Sequence, residues 1–210
     1  MNADFKQKFL SILEKDLPPD AAFKSMRSYV RESPSEARLK NPPPRESAVL
    51  MLIYPAANAW HTLFMLRPDG QGVHSNQLSF PGGKREQEES LLETALRETQ
   101  EEVGIHPTEI EIIGELSEVY IPPSNFIVKP FVGLAYTEPQ FIGNPQEVVE
   151  LIHFPIEELL KPGLILEKEI FLPKYKVNFM APYFDIKGHT LWGATAMMVQ
   201  EFRMRAGFDT

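Results

Sequence analysis

The chain has 210 residues, 43% of them hydrophobic, and a formal charge of −8. That is enough for one ordinary domain with a good core, and no apolar run approaches the roughly 20 residues of a membrane span. There are no cysteines, which excludes disulfides and thiolate metal sites, and the acidic balance without a Lys/Arg stripe speaks against a nucleic-acid polymer as partner.

The first residues, Met-Asn-Ala-Asp-Phe-Lys, lack a signal-peptide pattern, and with the missing cysteines this leads to the expectation of a cytoplasmic protein. Asp4 to Leu17 reads as an amphipathic helix with Phe5, Phe9, Leu10, Leu13 and Leu17 on one side, stopped by Pro18-Pro19. A second short helix is expected over Ala21 to Arg31. Ser33 to Ser47, with Pro42-Pro43-Pro44, reads as a linker or draped arm, because too little precedes it to fold alone. Residues 1–45 are therefore expected to be a helical arm and proline-rich linker packed on a domain of residues 46–210.

Ala48 to Pro55 is a buried-strand pattern, and His61 to Arg67 its hairpin partner through Ala56-Ala57-Asn58-Ala59. A helix follows from about Glu89 to Val103. Glu109 to Val119 and Ile127 to Tyr136 read as strands, and Pro155 to Leu160 as a short helix. Ile170 to Leu172, Lys176 to Met180 and Tyr183 to Ile186 read as short strands, and Gly193 to Ala206 as a last helix with Ala196, Val199 and Met204 in the core. Strands alternating with a few helices predict an α/β fold, an α/β/α sandwich with a mixed β-sheet.

The chemistry concentrates in the pattern G-x5-E-x7-R-E-x-x-E-E-x-G-I, carried by Gly83, Glu89, Arg97, Glu98, Glu101, Glu102, Gly104 and Ile105. On the predicted helix, Leu92, Ala95, Leu96 and Val103 form the apolar stripe, and Gly104 ends it. Glu98, Glu101 and Glu102 stand at i, i+3 and i+4, so their carboxylates are expected on one side, away from that stripe. Like charges at this spacing cost about 0.2–0.5 kcal/mol per pair on a bare helix. A hard cation reverses that sign, and Mg²⁺ takes oxygen ligands while leaving room for substrate phosphates. Arg97 adds a planar fork that can orient a carboxylate or hold a phosphate oxygen. Gly82-Gly83 lets the backbone come close to a ligand. The five His residues are scattered without H-x3-H spacing, which argues against zinc.

This segment resembles the Nudix box, which marks hydrolases of nucleoside diphosphates linked to another moiety. Thr99 stands where the family prefers an aliphatic residue. The resemblance implies the Nudix fold, Mg²⁺ or Mn²⁺ as cofactor, and Glu98, Glu101 and Glu102 as metal ligands. It further implies Arg97 as the orienting arginine, Glu89 and Gly83 as supporting residues, and the Gly82 carbonyl as a ligand.

Upstream, Arg67, His74, Gln77 and Phe80 lead into Pro81-Gly82-Gly83 and resemble the corresponding motif of coenzyme A diphosphatases. Asn76 departs from the Gly common there, and Gly72 from an Arg. Tyr120 to Phe126 with Val128 to Val132, Pro145 to Glu150, and Gly188 to Ala196 resemble later segments of the same group. The resemblance implies cleavage of coenzyme A or a derivative to 3′,5′-ADP and 4′-phosphopantetheine, with Arg67, His74, Gln77 and Phe80 binding substrate. A general base is expected within the Glu cluster or in a later loop, where Glu147 and Glu150 are the candidates. Two alternatives stand beside this reading: a Nudix hydrolase of another nucleoside diphosphate derivative, such as ADP-ribose or NADH, and a non-catalytic nucleotide-sensing module. The expected partner is a small nucleotide, not a nucleic acid or membrane, and a homodimer is left open.

Overall fold

The computed structural model describes all residues except 1, 16, 18, 28–31, 70–75, 173–175 and 209–210. In chain order the helices are α1 (Asn2–Leu13), α2 (Pro19–Lys24), α3 (Pro34–Ala37), α4 (Leu91–Val103), α5 (Ile156–Leu159) and α6 (Gly193–Arg205). The strands are β1 (Arg45–Ala56), β2 (Ala59–Leu66), β3 (Leu78–Ser79), β4 (Gly82–Lys84), β5 (Glu111–Glu115), β6 (Val119–Ile121), β7 (Phe126–Leu134), β8 (Glu150–Pro155), β9 (Leu166–Leu172), β10 (Val177–Ile186) and β11 (His189–Trp192). Among the described residues no helix is long and apolar enough to cross a membrane.

β1 is the spine of an eight-stranded sheet. It runs parallel to β7 and antiparallel to β2 and β4, so the sheet is mixed. Side chains alternate across a strand, and β1 uses both faces. Ala48, Leu50, Leu52 and Tyr54 pack with Ala95 and Val103 of α4 on one face. Met51 and Ile53 pack on the other with Phe9 and Ile12 of α1 and Val199 and Phe202 of α6. Burying a Leu or Ile of this kind contributes about 1.5–3 kcal/mol. The result is the α/β/α arrangement, with α4 over one face of β1.

Several elements differ from the sequence reading. α1 ends at Leu13, not Leu17, and its exit is a tighter turn in which Lys15 N donates to the Ile12 carbonyl. The second helix covers Pro19–Lys24, and residues 28–31 of the expected span lie outside the described residues. The proline-rich stretch is not all linker. Ser33 caps α3 reciprocally with Glu36, and β1 starts already at Arg45. The β1–β2 hairpin turns on two residues, Ala57 and Asn58, both at positive φ (46° and 63°), as a right-twisted two-residue hairpin requires.

β8 was missed, because Glu150-Leu-Ile-His-Phe-Pro has weak alternation and a proline at its end; it adds to the outer side of β2. The three short strands expected at 170–172, 176–180 and 183–186 fall on two longer ones, β9 and β10, which form a separate antiparallel sheet with β11, a strand the sequence reading lacks. Pro182 does not interrupt β10. β11 reaches only to Tyr183, so Pro182 has a partner strand on one side alone, where a sheet tolerates proline.

Candidate active site

α4 is fixed at both ends. Ser90 accepts from Glu93 N while the Glu93 carboxylate accepts from Ser90 N, and Gly104 closes the helix at φ 81°. The helix then lies against β4, where Gly82 and Gly83 offer no side chains. A Cβ built on Gly83 would collide with the Glu98 carboxyl, and one on Gly82 (φ 149°) would strike the Ala48 carbonyl and Val49. Gly83 thus lets β4 meet the Glu98 carboxyl of α4, and Gly82 lets it pack on β1.

The carboxylates do not all point away from the apolar stripe. Glu102 is buried beside Ala95, Thr99 and Val103, with only 1% of its surface exposed. It turns inward because β4 presents backbone there, and Gly82 N donates to its Oε2 at 2.8 Å. Thr99 fits the buried stripe by donating its hydroxyl to the Ala95 carbonyl at 2.7 Å. Glu101 is on the outside, with its side chain 54% exposed.

Two arginines organise the cluster. Arg97 donates to Glu89 through Nε (3.0 Å) and Nη2 (2.9 Å), and through Nη1 to Glu98 (2.9 Å) and Glu101 (3.0 Å). Glu89 is itself held by Glu86 N at 2.7 Å and by the Thr94 hydroxyl at 2.8 Å. The Arg97 bond lowers the Glu89 carboxyl to about 2, with these donors assisting. Arg67, just past β2, donates Nη2 to the Gly82 carbonyl at 2.8 Å and lies 3.1 Å from Glu102 Oε1. With the carboxylates turned to these two guanidinium groups, no three acidic or imidazole side chains among the described residues converge on one metal-sized point.

Two of the carboxylates are poorly solvated. Burial pushes Glu102 up to about 7; Arg67 and Gly82 N oppose this, and Glu98 and Glu147 add to it. Glu98 is also raised, first by burial and then by Glu101 and Glu147. The donor set consists of carboxylate and carbonyl oxygens, the chemistry that suits Mg²⁺ or Mn²⁺.

Glu147 reaches this field because its loop is tied to the end of α4. Ile142 N donates to the Val103 carbonyl and Asn144 N to the Glu102 carbonyl, both at 2.9 Å. Asn144 then turns the chain, its side chain accepting from Gln146 N at 3.1 Å. Glu150 lies in β8 opposite Leu66, 3.4 Å from His189 Nε2.

Of the upstream residues, Arg67 joins the cluster, and the Gln77 carbonyl accepts from Arg67 N at 3.2 Å. Phe80 is a core residue, 1% exposed and stacked on Phe64 at 5.1 Å. His74 lies outside the described residues. Sequence reasoning missed Thr94 and Asn144. The first offers a lone hydroxyl without a pattern, but Asn144-Pro145 is a turn signal that could have been read.

A NUDIX domain model matches residues 44–175 of the chain. A protein of Yersinia enterocolitica described as an uncharacterised Nudix hydrolase NudL is 35% identical over 141 residues, 66% of this chain and 70% of its own length. The protein of the same description from Pectobacterium atrosepticum is 32% identical over 176 residues, 77% of this chain and 82% of its own length. Among solved structures, a C. elegans Ap4A hydrolase binary complex aligns at a TM-score of 0.47 and 17% identity, over 55% of this chain and 83% of that one.

Proposed function

This chain belongs to the Nudix hydrolase family, and from that premise we propose that it cleaves the diphosphate of coenzyme A or a coenzyme A derivative, releasing 3′,5′-ADP and 4′-phosphopantetheine. It is an enzyme acting on a nucleoside diphosphate derivative. The observation that carries the chemistry is the packing of two desolvated carboxylates, Glu98 and Glu102, against a two-glycine strand, with Glu101 and Glu147 adjoining.

Glu98, Glu101, Glu102 and the Gly82 carbonyl would hold Mg²⁺ or Mn²⁺. Bound there, the metal supplies Lewis acidity toward the phosphate oxygens and a lowered pKa for a water. Glu89 pins Arg97, and Arg97 sets the direction of the Glu98 and Glu101 carboxylates. Glu147 is the better candidate to take the proton from the attacking water, because it sits in the field of Glu98 and Glu102 while Glu150 faces His189.

The coenzyme A reading rests on the order Arg67, His74, Gln77 and Phe80 ahead of the two glycines, and on the Tyr120–Phe126 and Gly188–Ala196 segments. Coenzyme A carries a 3′-phosphate that ADP-ribose and dephospho-coenzyme A lack. A charged hydrogen bond to it is worth about 1.5–3 kcal/mol, roughly a tenfold to hundredfold preference. Comparing kcat/KM for coenzyme A, dephospho-coenzyme A and ADP-ribose tests this. Equal values would leave a Nudix hydrolase of broader or different preference.

A further inference from the structure

The donor oxygens proposed above for the metal already have a cation between them. Arg67 Nη2 donates to the Gly82 carbonyl at 2.8 Å and sits 3.1 Å from Glu102 Oε1, while its Nε donates to Ser79 Oγ at 3.2 Å. We propose that Arg67 is a resident counter-ion which must leave Gly82 and Glu102 before a divalent cation binds there, and that it thereby sets the metal affinity of the enzyme. This rests on the metal site of the preceding section.

The geometry makes the two cations exclusive. Glu102 Oε2 accepts from Gly82 N at 2.8 Å, and Oε1 is the oxygen that faces Arg67 at 3.1 Å. The Gly82 backbone is pressed onto β1 and cannot retreat to make room. Two positive charges on one buried carboxylate oxygen would stand within a few ångströms of each other, where repulsion in a poorly solvated site is strong. Arg67 is the one that can move. Its side chain is 28% exposed and it adjoins the chain's exit from β2, whereas Arg97 is locked by two bonds to Glu89. A guanidinium released from Glu102 becomes available to a phosphate oxygen, so metal loading and exposure of a substrate-facing cation are coupled in a single side chain.

The test is Mn²⁺ titration of the full chain by calorimetry, without substrate, for the wild type, Arg67→Gln, Arg67→Lys and Glu102→Gln. Arg67→Gln is expected to bind Mn²⁺ about tenfold more tightly than wild type. Metal-free, it should melt lower, because Glu102 has lost its ion pair, and Mn²⁺ should raise its Tm by more than it raises that of the wild type. Arg67→Lys keeps the charge but lacks the planar fork and should fall between the two. If Arg67→Gln does not fold, Arg67→Met carries the same expectation. Unchanged or weaker Mn²⁺ binding by the neutral variant overturns the inference while leaving the metal site standing. Tighter binding by Arg67→Gln with Arg67→Lys equal to wild type reduces Arg67 to background charge and also overturns it. Absence of Mn²⁺ binding in every protein, or binding that Glu102→Gln does not weaken, overturns both the inference and the metal site.

Discussion

Replacing Arg97 with Lys keeps the charge and removes the geometry. The guanidinium reaches three carboxylates at once, with two bonds to Glu89 and one each to Glu98 and Glu101, all between 2.9 and 3.0 Å. A single ammonium cannot keep both Glu89 bonds and still span the other two groups. The bond to Glu101 counts for little, since that side chain is 54% exposed. The lost Glu89 fork is more costly, because Glu89 is held in a fixed cage by Glu86 N and Thr94. Losing one charged hydrogen bond there destabilises by about 1.5–3 kcal/mol. For a chain of this size that is a fall in Tm of about 3–12 °C. Freed carboxylates should also lower kcat by about tenfold to hundredfold, or about 1.4–2.7 kcal/mol of transition-state stabilisation. Thermal melting and steady-state kinetics on Arg97→Lys check both numbers. Unchanged Tm together with unchanged kcat would show that the fork organises nothing.

Glu101→Gln and Glu102→Gln should each nearly abolish turnover at saturating Mg²⁺ while circular dichroism shows the fold intact; near-normal rates in both would remove the site. Gly83→Ala places a methyl against the Glu98 carboxyl, which must shift, so kcat should fall at least tenfold; an unchanged rate would mean that this position of the Glu98 carboxyl is not needed for turnover. At the far end of the sheet, stability depends on pH. His153 Nδ1 and the buried Tyr54 hydroxyl share a hydrogen bond of 2.6 Å, and burial, then Lys187 and His61, lower the His153 pKa below the ordinary 6.5. Its neutral form is thus favoured by folding, so this contribution to stability is complete above pH 6.5 and drains away as pH falls toward the lowered value. Urea midpoints at pH 8 and pH 5.5 should differ more for wild type than for His153→Phe; an equal pH dependence would refute the assignment.

The legible parts of this protein are those where one residue's neighbours in sequence decide its state. Gly104 had to end α4, and Gly82-Gly83 had to bring backbone close to the helix, because both are local steric facts. The alternation that hides β1 on both faces was visible as a continuous apolar run. What was misread depended on partners distant in sequence. Glu102 looked like a surface carboxylate until β4 offered it a backbone N–H instead of water. Glu147 and Glu150 were equivalent in sequence, and only the ties between 142–144 and the end of α4 separate them. The burial of Phe80 against Phe64, between β3 and β4, is likewise set by residues distant in sequence. β10 reads in sequence as two short strands on either side of Pro182, because the length of β11, which makes that proline tolerable, is not a local property.

The central claim is that this carboxylate cluster splits a coenzyme A diphosphate with a divalent cation. The most direct measurement incubates coenzyme A with the full chain, with Mg²⁺ or Mn²⁺ and with chelator, and identifies products by mass for wild type and Glu102→Gln. The account predicts equal amounts of 3′,5′-ADP and 4′-phosphopantetheine from the wild type with metal, none with chelator, and almost none from Glu102→Gln. Product formation that persists in chelator, or that survives the loss of the Glu102 charge, would contradict it.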